Sequence, residues 1–219
     1  YHLVRKREVP LFTQSFKIAA IIGLISIAGV IFLGDRQGKQ LSNYQPMKTA
    51  ANEGLWETED PASFAIIQFS NQHEQRETFS IKIPGLTSFL IYNRFNGEVE
   101  GIRDLQKAYE AEFGPGTYFP NVTLVFYSFR LMVGFGFLLL LAGLISVYWV
   151  IRKKPLENQR LLVVFPFLVA LPYLSNILGW IVAEVGRQPW VVWGLLKTQD
   201  AVSPNLTSGM VLTTLILFT

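Results

Sequence analysis

The chain has 219 residues; 50% are hydrophobic, 16% are charged, the net charge is +3 and the mean hydropathy is positive. A soluble domain of this length carries about a quarter charged residues, and here the apolar excess is clustered into long runs, so the composition points to a membrane protein. With no cysteine and only His2 and His73, disulfides, thiolate metal centres, iron–sulfur clusters and cysteine nucleophiles are excluded, and a histidine-built metal site is nearly so.

In chain order, the first apolar run covers about Phe16 to Leu33, with the core IAAIIGLISIAGVIFL, and predicts span A. Lys17 stands at its edge, where its aliphatic stem can reach the headgroups. Gly34-Asp-Arg-Gln-Gly38-Lys39 follows. It invites comparison with a phosphate loop, but the spacing is one residue short, no Ser or Thr follows the lysine, and a membrane span precedes it. It reads instead as a turn just after a helix exit. Residues 34–118 form a long polar loop. Within it Gln45 to Trp56 can make a short helix, and Asn96-Gly97 suggests a turn. Val99, Ile102, Leu105, Tyr109 and Phe113 recur at helical spacing until Gly114-Pro115-Gly116 ends the run. His73 lies in a polar stretch and reads as a solvated loop residue.

Span B runs from about Val122 to Val150 with Arg130 as its only charge, and span C from about Leu161 to Ala183 with Glu184 at its end. A fourth run, Leu206 to Thr219, is about 14 residues long where a span needs roughly 20. The chain also starts at Tyr1 without a signal peptide. Both ends therefore read as cut, and the chain as a fragment. Tyr148, Trp149, Trp180 and Trp190 fall near span ends, where aromatic belts are expected. Asn121-Val-Thr and Asn205-Leu-Thr have glycosylation spacing but hug the bilayer.

Charge sets the orientation. Arg5, Lys6, Arg7 and Lys17 precede or enter span A, and Arg152, Lys153, Lys154 and Arg160 join spans B and C. The positive-inside rule puts both segments in the cytoplasm. The loop 34–118 is then extracytoplasmic, and with 8 Lys/Arg against 12 Asp/Glu it is net acidic. The C–D loop, with Glu184, Arg187, Lys197 and Asp200, lies on the same outer side.

Three groups of residues can carry chemistry. Arg130 is costly inside a span, so it faces protein, water or an anionic ligand. It either pairs with a carboxylate or carbonyl at the outer face, or holds a haem propionate while Met132 supplies a thioether axial ligand. Glu184 stands three residues before Arg187, close enough to pair on a helix. It either closes a helix end or is a buried carboxylate that ligates a metal centre or relays protons. Lys48 and Glu53 are either solvated loop charges or the borders of one pocket in which a carboxylate accepts protons near the membrane surface.

Taken together these stretches resemble one family. Gly34-Asp-Arg-Gln-Gly38-Lys39, then Lys48 to Thr58 with Glu53-Gly-Leu-Trp56-Glu-Thr58, resembles the quinol-binding loop of cytochrome bd subunit I. Phe129-Arg130-Leu131-Met132-Val133-Gly134 resembles its low-spin haem helix, and Gly179-Trp180 through Gly186-Arg187-Gln188-Pro189-Trp190 its signature near the high-spin haems. Tyr1-His-Leu-Val-Arg-Lys-Arg7 and Ser15-Phe-Lys-Ile-Ala-Ala20 resemble the approach to its sixth span.

The resemblance implies that Met132 is an axial ligand of a low-spin haem b with Arg130 beside it. It implies that Lys48 and Glu53 belong to the quinol site. Glu184 would bind a high-spin haem iron, with Trp180 and Arg187 around it as the catalytic group. The implied cofactors are low-spin haem b, high-spin haem b, and haem d or a further haem b. The implied partners are a second oxidase subunit, small single-span subunits, membrane lipid, quinol and dioxygen, with no nucleic acid. The histidine opposite Met132 lies upstream in the family and has no counterpart here, so the isolated chain is expected to hold half-sites and to be inactive.

The expected architecture is an all-α polytopic transmembrane bundle, with three full spans, a truncated fourth and one extracytoplasmic quinol-binding loop domain. It divides into residues 1–33 (cytoplasmic lead-in and span A), 34–118 (loop domain), 119–152 (span B), 153–190 (cytoplasmic loop, span C and signature) and 191–219 (outer loop and partial span D). The expected function is part of a respiratory oxidase of a bacterial or archaeal cytoplasmic membrane that oxidises quinol, reduces dioxygen to water and separates charge across the membrane. The rivals are a haem-free transporter or channel with an outer domain, and a haem-free assembly or sensor subunit.

Overall fold

The structure is a computed structural model that describes residues 1–156 and 160–218. Three helices are long and apolar enough to cross a membrane. The first, α1 (Val9–Tyr44), starts with Pro10 in its first turn, where the missing N–H costs no helical hydrogen bond. The sequence reading ends span A at Leu33 and places a turn next. Instead α1 continues through Gly34 and Gly38 for another eleven residues, about 16 Å at the helical rise. Contacts that hold this polar extension include the Asp35–Lys39 pair one turn on, Lys39 Nζ donating to Asn93 Oδ1 at 2.9 Å, and Trp193 Nε1 donating to the Tyr44 carbonyl. It stops at Gln45, whose extended φ of −137° suits a residue before proline.

The loop domain is built on α2 (Pro46–Glu53), a hairpin of β1 (Phe64–Asn71) and β2 (Arg76–Ile83), then α3 (Leu86–Tyr92) and α4 (Ile102–Phe113). Helices α2 and α4 fall where the sequence placed them. The hairpin is an addition to the expected helical plan. Its antiparallel register pairs Phe69 with Phe79 and Ile67 with Ile81, with irregularities at Ala65/Ile67 and Phe69/Ser70. Asn71 Oδ1 caps the turn by accepting from the His73 and Glu74 amides, and His73 is exposed as expected.

Helix α5 (Val122–Ile151) opens at Asn121, whose side chain accepts from the Leu124 amide. Span C is less regular than predicted. A 3-10 turn (Arg160–Val163) leads into α6 (Phe165–Leu168) and α7 (Ala170–Val185), because Pro166 and Pro172 supply no backbone N–H to the turns before them. A short ribbon of β3 (Trp190–Val192) and β4 (Leu196–Lys197) follows, then α8 (Ser208–Phe218). The last residue expected in span D, Thr219, lies outside the described residues.

The spans leave most of their apolar side chains exposed, so the cores sit at the two ends. At one end Met47, Ala50, Trp56, Ile102, Leu105, Tyr109, Tyr118, Val122 and Trp190 bury one another, with Phe113, Phe119 and Trp193 against them. At the other, Leu3, Trp149, Leu156 and Leu162 form a smaller cluster. Trp149 and Trp190, expected in interfacial belts, are thus buried in protein at 5% and 7% exposure. Tyr148 and Trp180 stay exposed.

Candidate functional site

Helix α2 organises the outer end of the bundle. It is short, but six of its eight residues are buried, and its charged side chains leave in different directions. Glu53 and Lys48 are five residues apart, which turns them well away from one another on a helix. Neither side chain is a fully solvated loop charge, and the two make separate contacts. Glu53 reaches α5 and Lys48 reaches the end of α7.

Glu53 is 8% exposed and accepts from Arg130 Nη2 at 2.8 Å, while the Thr87 hydroxyl lies 3.3 Å from the same carboxylate oxygen. The Arg130 guanidinium also donates from Nε to the Ala65 carbonyl (2.7 Å) and from Nη1 to the Asn52 carbonyl (3.3 Å). Its planar face rests on Phe64 at 4.0 Å and on Phe126 at 4.6 Å from the ring centroids. A span arginine is tolerated here because protein carbonyls, a carboxylate and rings replace its water. Arg130 pairs with a carboxylate and two carbonyls, which engages three of its five N–H groups among the described residues. Tyr127 adds a second tie, donating to the Gln68 carbonyl at 2.8 Å. The hairpin is therefore fastened to α5 at Tyr127 and Arg130, one turn and less before Met132.

Lys48 Nζ donates to the Ala183 carbonyl at 3.1 Å. Burial lowers the pKa of this amine, and the positive charge of Arg187 lowers it further, against an opposing pull from Glu184. Gly186 makes the approach possible. A Cβ there would stand 2.4 Å from the Val182 carbonyl oxygen and 3.1 Å from Lys48 Cε. The predicted pair is present: Arg187 Nη2 lies 2.5 Å from Glu184 Oε2, with both side chains partly exposed. Such a pair contributes little stability in water, which leaves the carboxylate accessible to other partners.

A cavity of about 120 Å³ opens beside Lys48, lined among others by Met47, Tyr109, Arg187, Gln188 and Trp190. Burial pushes the Tyr109 phenol up to about 12, so it is neutral throughout the physiological range. Lys197 Nζ sits 3.1 Å from the Tyr118 hydroxyl and over the rings of Tyr118 and Trp190. This aromatic layer is the part of the site that residue type alone did not single out. Only the Val99–Phe113 periodicity pointed to Tyr109, as a core residue.

Met132 lies half-buried on the seam between α5 and α7, where a Cβ on Gly179 would come 3.3 Å from its sulfur. Gly134 and Gly136 leave open space beside the same stretch of α5. Trp180 is 61% exposed, one turn before Glu184. A thioether is one kind of group that can hold a haem iron, and an accessible carboxylate can take a metal ion or a proton. Among the described residues no group of three or more His, Cys, Asp or Glu is placed to hold a metal ion. His2 stacks on Phe12 at the far end of the bundle and His73 caps the hairpin turn. The candidate residues thus fall in two places, on α5 and at the end of α7, and α2 contacts both.

The similarity to known proteins has the same extent. The chain is 44% identical over 220 residues to cytochrome bd ubiquinol oxidase subunit 1 of Bacillus subtilis (strain 168), covering 100% of this chain and 47% of that protein. It is 29% identical to cytochrome bd-II ubiquinol oxidase subunit 1 of Escherichia coli (strain K12), covering 99% of this chain and 53% of that one. The bd oxidase structure from Geobacillus thermodenitrificans matches with a TM-score of 0.79 and 27% identity, over 99% of this chain and 47% of that one. The chain thus spans about half the length of the relatives it matches. The family described as cytochrome bd terminal oxidase subunit I matches residues 1–219, which favours the oxidase expectation over the haem-free rivals. From end to end, the chain belongs to the cytochrome bd terminal oxidase subunit I family.

Proposed function

We propose that this chain forms the quinol-facing half of an oxidase subunit that takes electrons from quinol and delivers them to dioxygen, working with a second subunit and small single-span subunits. The observation that carries this reading is α2. One short helix joins Glu53 to Arg130 on the Met132 helix, and Lys48 to the carbonyl of Ala183, the residue before Glu184. Met132 would be a residue that holds a low-spin haem b. Glu184 would serve the iron of a high-spin haem, with Trp180 and Arg187 beside it. These groups, with a haem d or further haem b, supply electron transfer and oxygen reduction when bound.

The chain's own residues provide placement. Arg130 and Glu53 fix the loop domain against α5. Lys48 and Arg187 set a positive rim on the cavity that is the candidate quinol site, where the neutral Tyr109 phenol is a hydrogen-bond donor. On this reading the chain divides near 33, 118, 152 and 190, except that α1 runs through the first boundary and residues 34–44 form a helical stalk under the loop domain. The loop domain is extracytoplasmic, so protons from quinol leave outside, whereas protons for water come from the cytoplasm. Expressed alone, the chain would bind no stoichiometric haem. Met132→Leu in the full-length protein tests the reading: the low-spin haem spectrum is expected to be lost or shifted, and an unchanged spectrum would overturn it.

A further inference from the structure

The end of the bundle away from the loop domain takes no part in that chemistry, yet it gathers eight cations. They are Arg5, Lys6, Arg7 and Lys17 on the first segment, and Arg152, Lys153, Lys154 and Arg160 between α5 and α6. All eight are exposed, and none forms an ion pair among the described residues. The only acidic residues in the same stretches are Glu8, also unpaired, and Glu157, which lies outside the described residues.

Their depth follows from helix geometry. The uncharged stretch of α5 from Leu131 to Ile151 is about 31 Å long, matching a hydrocarbon core of about 30 Å. Arg152 to Lys154 therefore begin at its boundary. Helices α1 and α5 touch where a Cβ on Gly143 would lie 3.4 Å from Leu24. From that contact Lys17 is about 10 Å, and Arg152 about 13 Å, toward this end. The first segment folds back to the same level, because Leu3 is buried in one cluster with Trp149, Leu156 and Leu162. Turns keep it there: the amides of Arg5, Lys6 and Arg7 donate to the carbonyls of Tyr1, Leu3 and His2. Lys6, Glu8 and Lys153 adopt left-handed φ values of 54°, 46° and 49°, which a side-chain-bearing residue rarely takes. Positive charge that only guided insertion would need neither the buried cluster nor these turns.

We propose that this end is a binding surface for anionic phospholipid headgroups, with the Leu3–Trp149–Leu156–Leu162 cluster holding two basic segments together at the phosphate plane. Charge complementarity names the ligand: clusters of four to eight Lys/Arg beside a span attract anionic lipid, and these lie at headgroup depth rather than out in solution. The proposal needs only the three spans and is independent of the oxidase reading.

The test uses the full-length protein with its partner subunit, in nanodiscs of equal phosphatidylglycerol and phosphatidylcholine. Lipid that resists detergent exchange is counted by mass spectrometry. The unmodified protein should retain phosphatidylglycerol preferentially, and the preference should fall as salt rises. Each cation is worth up to about fivefold in binding. The variant Arg152→Gln/Lys153→Gln/Lys154→Gln should therefore weaken retention by up to about a hundredfold, whereas Arg152→Lys/Lys153→Arg/Lys154→Arg should retain it. Retention in proportion to supply by the unmodified protein overturns the proposal even if the neutral variant fails to insert. So does neutralisation that releases the partner subunit and leaves the lipid count unchanged, which would mark a protein interface.

Discussion

Removing Glu53 should loosen the loop domain from α5 by a measurable amount. The two side chains of the Glu53–Arg130 pair are 9% and 10% exposed and 2.8 Å apart, so solvent screening does not discount their interaction. Deleting one partner of a buried pair costs about 3–5 kcal/mol, because the other charge is left without compensation. Glu53→Ala strands a guanidinium that still donates to the Ala65 and Asn52 carbonyls, which places the cost at the lower end, about 3 kcal/mol. If the hairpin opens locally, amide exchange across β1 should accelerate by about a hundredfold. Hydrogen exchange on the full-length protein reads this directly, with α4 as an internal reference. Glu53→Gln, which keeps an acceptor for Arg130, should show a smaller change. Glu53→Ala/Arg130→Met should recover part of the loss, since no charge is then buried alone. Exchange in β1 that rises less than about fivefold in Glu53→Ala would refute the claim that this pair fastens the domain.

Two further substitutions probe the α7 end. Gly186→Ala must displace the Val182 carbonyl, 2.4 Å from the added Cβ, and crowds Lys48 at 3.1 Å, at a cost of about 1–3 kcal/mol for overpacking; the thermal unfolding midpoint followed by tryptophan emission should fall accordingly. Tyr109 is raised from 10.0 to about 12 by burial, so its contribution to stability is complete below pH 10 and is lost as pH rises through about 12. Tyr109→Phe should remove that alkaline component from a pH series of unfolding midpoints and leave the values below pH 9 parallel.

Hydropathy gave the three spans, because membrane crossing imposes one simple demand on about 20 consecutive residues. The helical spacing of Ile102, Leu105 and Tyr109 likewise announced α4. The same hydropathy reading misjudged α1, since it detects where a helix leaves lipid and not where it ends; Asp35, Lys39 and Asn93 carry it on into water. The hairpin had a signal that went unread. Thr78-Phe-Ser-Ile-Lys-Ile83 alternates with period two, but its partner contains adjacent Ile66 and Ile67, where a register shift breaks the alternation. Residue type and family resemblance drew attention to Arg130, Glu53, Lys48 and Glu184. The Glu184–Arg187 contact was legible, the two residues being three apart across the end of α7. The contacts of Glu53 with Arg130 and of Lys48 with Ala183 join residues 77 and 135 positions apart, and no local pattern encodes them.

The central proposal is that this chain supplies about half of one subunit of a haem-bearing quinol oxidase. It is tested most directly by a reduced-minus-oxidised optical spectrum of membranes expressing the full-length gene with its neighbouring subunit. Low-spin and high-spin haem b signals, with or without a far-red chlorin band, are the expected result. Protein present in the membrane without any haem signal would contradict the account.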